Sequence, residues 1–452
     1  MFIGIARAWF GNFTREELKK FLVLGFVFAL IIGIYWTLQS LKDSIFMSVV
    51  GKEYIPAAQL ISMGFLIPLI IGYSILVDRL DRHTMLSGLA AFYALGAAAF
   101  GLFFLHPTLG LENTTLDPFR ISGWLWYLFV ESYGSFMVAL FWAFVTDTTA
   151  PESAKKGFSL IVMIGQLGSI LAPFTLTPLA GPAFWGSSTP LIFVCASLIF
   201  LIVPIMNWFV HTASRQQLQG YSPHQEQAQK KPQQSFLRGL SLITSNKYLF
   251  GIFAITILQG AIVTIIDFRF KYLVGHTILG QSARTVYLGN YAVWVNVATF
   301  LCLAFGMSNI QRRLGIRYAL TLMPCIIGAA MITVYASPIV SVLFWVMVVA
   351  KAFNYSLNAP AVKQLYVPTS QDAKYKSQAW IETFGSRGSQ AVGSGVTILQ
   401  QFLISGANPA TLGIYGLIFS CIAGGSLVVW FGFALFLSKT YEKAIKEEKI
   451  VC

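Results

Sequence analysis

Phe21-Leu-Val-Leu-Gly-Phe-Val-Phe-Ala-Leu-Ile-Ile-Gly-Ile-Tyr-Trp-Thr-Leu-Gln39-Ser-Leu-Lys42-Asp43-Ser-Ile-Phe-Met-Ser-Val-Val50 is long enough to cross a bilayer, yet it carries a lysine and an aspartate with apolar sequence still to come. A charge at bilayer depth costs several kcal/mol by insertion scales and normally faces a water-filled cavity or a partner. Lys42 therefore marks a polar pathway. Intramembrane charges recur at Glu131, Asp267, Arg269, Lys271 and Lys351. One central site lined by these groups, with the other helices around it, is the expectation.

The rest of the chain supports a membrane reading. Of its 452 residues, 56% are hydrophobic and only 11% charged, against about 25% charged in soluble domains. Apolar runs of membrane-spanning length follow one another along nearly the whole chain. The net charge of +13 does not point to nucleic acid, because the Lys and Arg residues sit mostly in short loops, where they set orientation. Cys195, Cys302, Cys325 and Cys421 lie within apolar runs and form no close-spaced pair, which excludes a disulfide framework or a cysteine metal site. The first long run reads as a retained helix, too long for the apolar region of a signal peptide.

Twelve spans are expected, near 21–41, 57–77, 85–105, 121–146, 157–180, 189–210, 247–267, 286–306, 316–336, 338–358, 386–406 and 411–437. The fold class is an all-α membrane protein of two six-helix halves, 1–210 and 247–452, joined by a Gln-rich cytoplasmic linker at 211–246. Spans 157–180 and 386–406 are rich in Gly, Ser and Gln, which suits close packing inside the bundle. Basic residues such as Arg79, Arg82, Arg312, Arg313, Lys439 and Lys443 fall on one side, and few fall on the other, placing both termini in the cytoplasm. The halves echo each other. Lys42 and Glu131 lie in the first and fourth spans, and Asp267 and Lys351 in the seventh and tenth. The loop Asp78-Arg-Leu-Asp-Arg-His83 resembles the basic loop of the major facilitator superfamily, whose first, fourth, seventh and tenth helices line a cavity; two halves around a midplane site is a recurring transporter plan.

The four cations Lys42, Arg269, Lys271 and Lys351 suit a polyanion: Arg binds phosphate in a bidentate fork and Lys as a point charge. Glu131 and Asp267 can pair with them in the empty site or relay a proton. The competing reading has each cation snorkelling from a helix end and each carboxylate in a structural ion pair. No glycine-rich phosphate loop, paired-histidine metal motif or serine elbow is present, so neither catalysis, a metal nor a cofactor is expected.

Several motifs together resemble one family. Leu38-Gln-Ser-Leu-Lys-Asp43, Glu131-Ser-Tyr-Gly-Ser135, Ile266-Asp-Phe-Arg-Phe-Lys271, Lys351 followed by Tyr355-Ser-Leu-Asn-Ala-Pro360, and Tyr366-Val-Pro368 with Lys374 and Lys376 occur in the order found in the non-mitochondrial ADP/ATP translocases of plastids and intracellular bacteria. Gln39, Asp267, Ala359 and Gln378 depart from the family pattern. The resemblance implies a major-facilitator-like transporter that exchanges ATP for ADP and phosphate. It also implies functional roles for Lys42, Glu131, Asp267 and a lysine of the 363–378 loop, taken as Lys376. A monomer in a bacterial inner membrane, in contact with lipid, is expected. The alternative left open is a proton-coupled importer of another nucleotide or organic anion.

Overall fold

A computed structural model of the chain describes residues 14–79, 81–149, 151–213, 236–304, 307–337, 339–370, 377–405, 409–447 and 449–451. Its elements are helical. In order they are α1 (Arg15–Val49), α2 (Ile55–Arg79), α3 (Arg82–Phe104), α4 (Ile121–Asp147), α5 (Pro151–Leu176), α6 (Thr189–Thr212), α7 (Phe236–Ser245), α8 (Lys247–Thr277), α9 (Gln281–Ala304), α10 (Met307–Ala336), α11 (Val340–Phe353), α12 (Ala359–Gln364), α13 (Ser386–Ser405) and α14 (Pro409–Lys446). Each expected span falls on one of these helices. Among the described residues, ten helices are long and apolar enough to cross a membrane; α2 and the Ser-, Gly- and Gln-rich α13 are outside that set. Most of the linker expected at 211–246 lies outside the described residues.

Helix boundaries differ from expectation in an informative way. α1 continues seven residues past Lys42 to Val49, and α8 continues six past Lys271 to Thr277. The charges therefore sit within helices rather than at their ends. In α1 the polar residues are accommodated locally: Ser40, Ser44 and Ser48 donate their hydroxyls to carbonyls three or four residues back, a pattern that satisfies a hydroxyl without breaking the helix. The helix starts on a capping box between Thr14 and Glu17. It ends before Gly51, whose φ of 125° is strained for a residue with a side chain.

The chain forms two compact units: Met1–Tyr54 with Gly64–Lys230 and Ile278–Asn296, and Ile55–Met63 with Lys231–Thr277 and Val297–Cys452. Within the first unit α1 packs along α5, and α3 along α6. The α1–α5 seam is closed by small residues. A Cβ on Gly33 would lie 2.7 Å from the Gly168 carbonyl oxygen, so the backbones meet there with no room for a side chain. The start of α9 is tied into this unit by Thr285, whose hydroxyl lies 2.6 Å from that of Ser44 and 2.9 Å from that of Ser188, all three fully buried.

Within the second unit α8 packs along α13 and α14, and α10 along α14. The α8–α13 seam repeats the device: a Cβ on Gly393 would lie 2.6 Å from the Ala261 carbonyl oxygen. The small-residue spans thus pack closely inside their units, as their composition suggests. The start of α2 joins this unit through Gln59, which accepts a hydrogen bond of 2.7 Å from Ser394. Two π-helical turns interrupt the α-helical path, Asn354–Asn358 after α11 and Ile381–Gly385 before α13. Such turns are rare and often mark functional positions.

Candidate functional site

Each unit holds, among the described residues, a charged cluster mostly withdrawn from solvent. In the first, Lys42 on α1 donates to Glu131 Oε2 on α4 at 2.8 Å, and Asp43 Oδ1 lies 3.9 Å from the same nitrogen. The Lys42 ammonium also sits 4.4 Å from the centre of the Tyr127 ring, one helical turn before Glu131. Only 4% of the Lys42 side chain is exposed, and 19% of Glu131. A snorkelling lysine would reach water; this one is held inward by a carboxylate and an aromatic face.

The motif around Glu131 is built to hold it. Ser132 accepts a hydrogen bond of 2.9 Å from Tyr93, and Tyr133 donates to the Ile31 carbonyl at 3.3 Å. Gly134 leaves room for the Tyr35 ring, which a Cβ there would strike. Ser135 donates back to the Glu131 carbonyl at 3.3 Å. α4 is thereby fixed against α1 and α3, and the Glu131 carboxylate meets Lys42 in one geometry.

In the second unit Asp267 on α8 bridges two lysines. Its Oδ2 accepts from Lys271, one turn on, and its Oδ1 from Lys351 on α11, both at 2.8 Å. These side chains are 12% exposed for Asp267 and Lys271 and 20% for Lys351. Arg269 does not join the cluster. Its Nε is buried and makes no hydrogen bond among the described residues. Lys376 lies outside the described residues.

The two clusters mirror each other in charge. In the first unit the cation is on the leading helix of the half and the anion three spans later; in the second the anion leads and the cation follows. The formal charges are −1 for Lys42, Asp43 and Glu131, and +1 for Asp267, Lys271 and Lys351. Pairing of this kind lets ammonium groups stay charged where water is scarce. It also leaves them exchangeable, because an incoming anion can replace the carboxylate as partner.

One further set of polar groups stands beside the second cluster, and its members were not singled out from the sequence. Gln259 Nε2 donates to Asn354 Oδ1 at 2.5 Å, and Asn358 Nδ2 donates to Gln259 Oε1 at 2.8 Å. Asn354 and Asn358 bound the π-helical turn that follows Lys351. Gln259 lies 95 residues before Asn354 and 99 before Asn358, so no local signal joins it to that pair. The Asn of Tyr355-Ser-Leu-Asn-Ala-Pro360 was visible only as part of a motif.

These features define a class: a multi-pass integral membrane protein with the fold of the major-facilitator-like transporters. A crystal structure of a mutant of the peptide transporter POT superposes with a TM-score of 0.59 over 97% of this chain and 98% of its own, at 13% identity. Residues 119–341 match the model of the TLC ATP/ADP transporter family, in line with the resemblance its motifs carry. It is 22% identical over 481 residues to ADP,ATP carrier protein 3 of Rickettsia conorii, covering 92% of this chain and 93% of that protein. It is 26% identical over 432 residues to ADP,ATP carrier protein 1 of Rickettsia typhi, covering 82% and 84%.

Proposed function

We propose that the chain exchanges adenine nucleotides, ATP for ADP, across a bacterial inner membrane by alternating access. In this reading the phosphates are taken by Lys42, Lys271 and Lys351, with Arg269 and Lys376 as further cations. Glu131 and Asp267 neutralise the lysines while no nucleotide is bound. The halves 1–210 and 247–452 are the repeated parts of the carrier, and both termini and the 211–246 linker are cytoplasmic.

The observation that carries this reading is the pairing itself: Lys42 is buried, Lys271 and Lys351 are mostly withdrawn from solvent, and each lies within a helix and meets a carboxylate at 2.8 Å. A lysine kept charged by a replaceable partner suits a phosphate, which offers the same anionic oxygens. The near full-length relation to ADP,ATP carriers supplies the nucleotide. Vesicles containing the purified chain and loaded with ADP provide the test. Labelled ATP should enter only when ADP or ATP is inside, and collapse of a proton gradient should leave the rate unchanged. Uptake that needs no internal nucleotide and stops with the proton gradient would establish proton-coupled import instead.

A further inference from the structure

The second unit carries a groove with no part in the charged clusters. It has a volume of about 610 Å³ and runs between the start of α8 and the second half of α14, lined by Lys247, Phe250, Val429, Gly432, Phe433 and Phe436. Phe250 and Phe433 meet edge to face, with ring centres 6.2 Å apart. A Cβ on Gly432 would meet no atom within 4 Å, so the absent side chain leaves the groove open at its middle. Phe250, Val429 and Phe436 remain 45%, 50% and 42% exposed. Both flanking helices are long and apolar enough to cross a membrane. The exposed wall therefore faces hydrocarbon, where an apolar chain is the natural filling.

One end of the groove is cationic. On α14, residues 429, 432, 436 and 439 recur at helical spacing and share one stripe, so the apolar wall runs on into the exposed Lys439. Lys247 stands at the N-terminal end of α8, next to the groove. Neither lysine makes an ion pair among the described residues. α7 leads directly into this end. Its sequence, Phe-Leu-Arg-Gly-Leu-Ser-Leu-Ile-Thr-Ser, places apolar residues at 236, 237, 240, 242 and 243, with 236, 237, 240 and 243 on one side, the pattern of a short helix lying in a membrane interface.

We propose that this groove binds one anionic phospholipid, with an acyl chain along Phe250, Val429, Gly432 and Phe436 and the phosphate between Lys247 and Lys439. A lipid is the ligand whose chemistry changes from hydrocarbon to phosphate over the length of such a groove. The Lys and Arg asymmetry of the chain assigns this end to the cytoplasmic leaflet. The proposal does not depend on the transported substrate.

The test uses the full chain purified in detergent, with lipid retention read by native mass spectrometry and stability by thermal melting. Phosphatidylglycerol should be retained in preference to phosphatidylcholine of identical chains by about tenfold or more, since each interfacial lysine favours an anionic lipid. It should also raise the melting temperature, whereas glycerol phosphate alone should not. Lys247→Gln with Lys439→Gln should abolish the preference. Gly432→Leu, which fills open space, should melt like the unchanged chain without lipid yet lose phosphatidylglycerol. Equal retention of the two lipids by the unchanged chain, a preference that survives the double substitution, full retention in Gly432→Leu, or the same stabilisation from glycerol phosphate would each overturn the proposal.

Discussion

Removing the Lys42 side chain should harm stability and function in separable ways. Lys42→Met leaves Glu131 with its ammonium partner gone, in a site where only 19% of the carboxylate side chain is exposed. Breaking one partner out of a buried pair costs about 3–5 kcal/mol. The partial exposure of Glu131 discounts this to the lower end, about 3 kcal/mol. Replacing both partners, as in Lys42→Met with Glu131→Leu, removes the stranded charge together with its desolvation cost, and such replacements are often neutral or stabilising. The order of melting temperatures in detergent should therefore be single variant lowest and double variant close to the unchanged chain. Nucleotide exchange should be lost in both, because neither offers the Lys42 cation to phosphate. If Lys42→Met melts with the unchanged chain, the pair is not a buried structural link. If the double variant exchanges nucleotide normally, Lys42 has no part in binding.

Three further outcomes follow from the geometry. Asp267→Asn removes the carboxylate charge that Lys271 and Lys351 share, so the empty protein should be less stable, and ATP, by bringing anionic oxygens to the same lysines, should raise its melting temperature more than it does for the unchanged chain; equal shifts would argue against phosphate at this cluster. Gly393→Val drives a side chain into the Ala261 carbonyl and should lower stability by about 1–3 kcal/mol through overpacking, seen as reduced folded yield and melting temperature. Arg120→Gln removes a guanidinium that donates to the carbonyls of Leu109, Gly110, Asn113 and Thr115; it should loosen the 105–120 loop, read as faster proteolysis there, while exchange persists.

Much of the fold was legible because the bilayer imposes it. Apolar runs such as 21–41 and 189–210 mark helices through length alone, since no other backbone form satisfies its hydrogen bonds in hydrocarbon without closing a barrel. Helix ends were less legible. The charges at Lys42 and Lys271 read as terminators, whereas the helices pass through them because Glu131 and Asp267, distant in sequence or one turn away, neutralise them. Composition also revealed the close-packing role of α5 and α13, whose Gly168 and Gly393 admit the Ala29 and Ala261 backbone. Within the clusters, residue type and the sixfold shift of spans identified Lys42, Glu131, Asp267 and Lys351. The pairing partners were not specified, and Arg269 was grouped with Lys271 although only Lys271 and Lys351 pair with Asp267 among the described residues. The amides Gln259, Asn354 and Asn358 converge only through the packing of α8 against the π-helical turn. No periodic or compositional trace announces such a convergence.

The most direct measurement of the central claim is equilibrium binding of ATP and of adenosine to the purified chain, its Lys42→Ala variant and its Lys42→Arg variant. A charge-assisted contact contributes roughly 1.5–3 kcal/mol, or about ten- to a hundredfold in affinity. ATP should therefore bind Lys42→Ala more weakly by that factor, Lys42→Arg should retain part of the affinity because the charge survives while its geometry changes, and adenosine should bind all three alike. ATP affinity unchanged in Lys42→Ala, or an equal loss for adenosine, would contradict the assignment of Lys42 to phosphate.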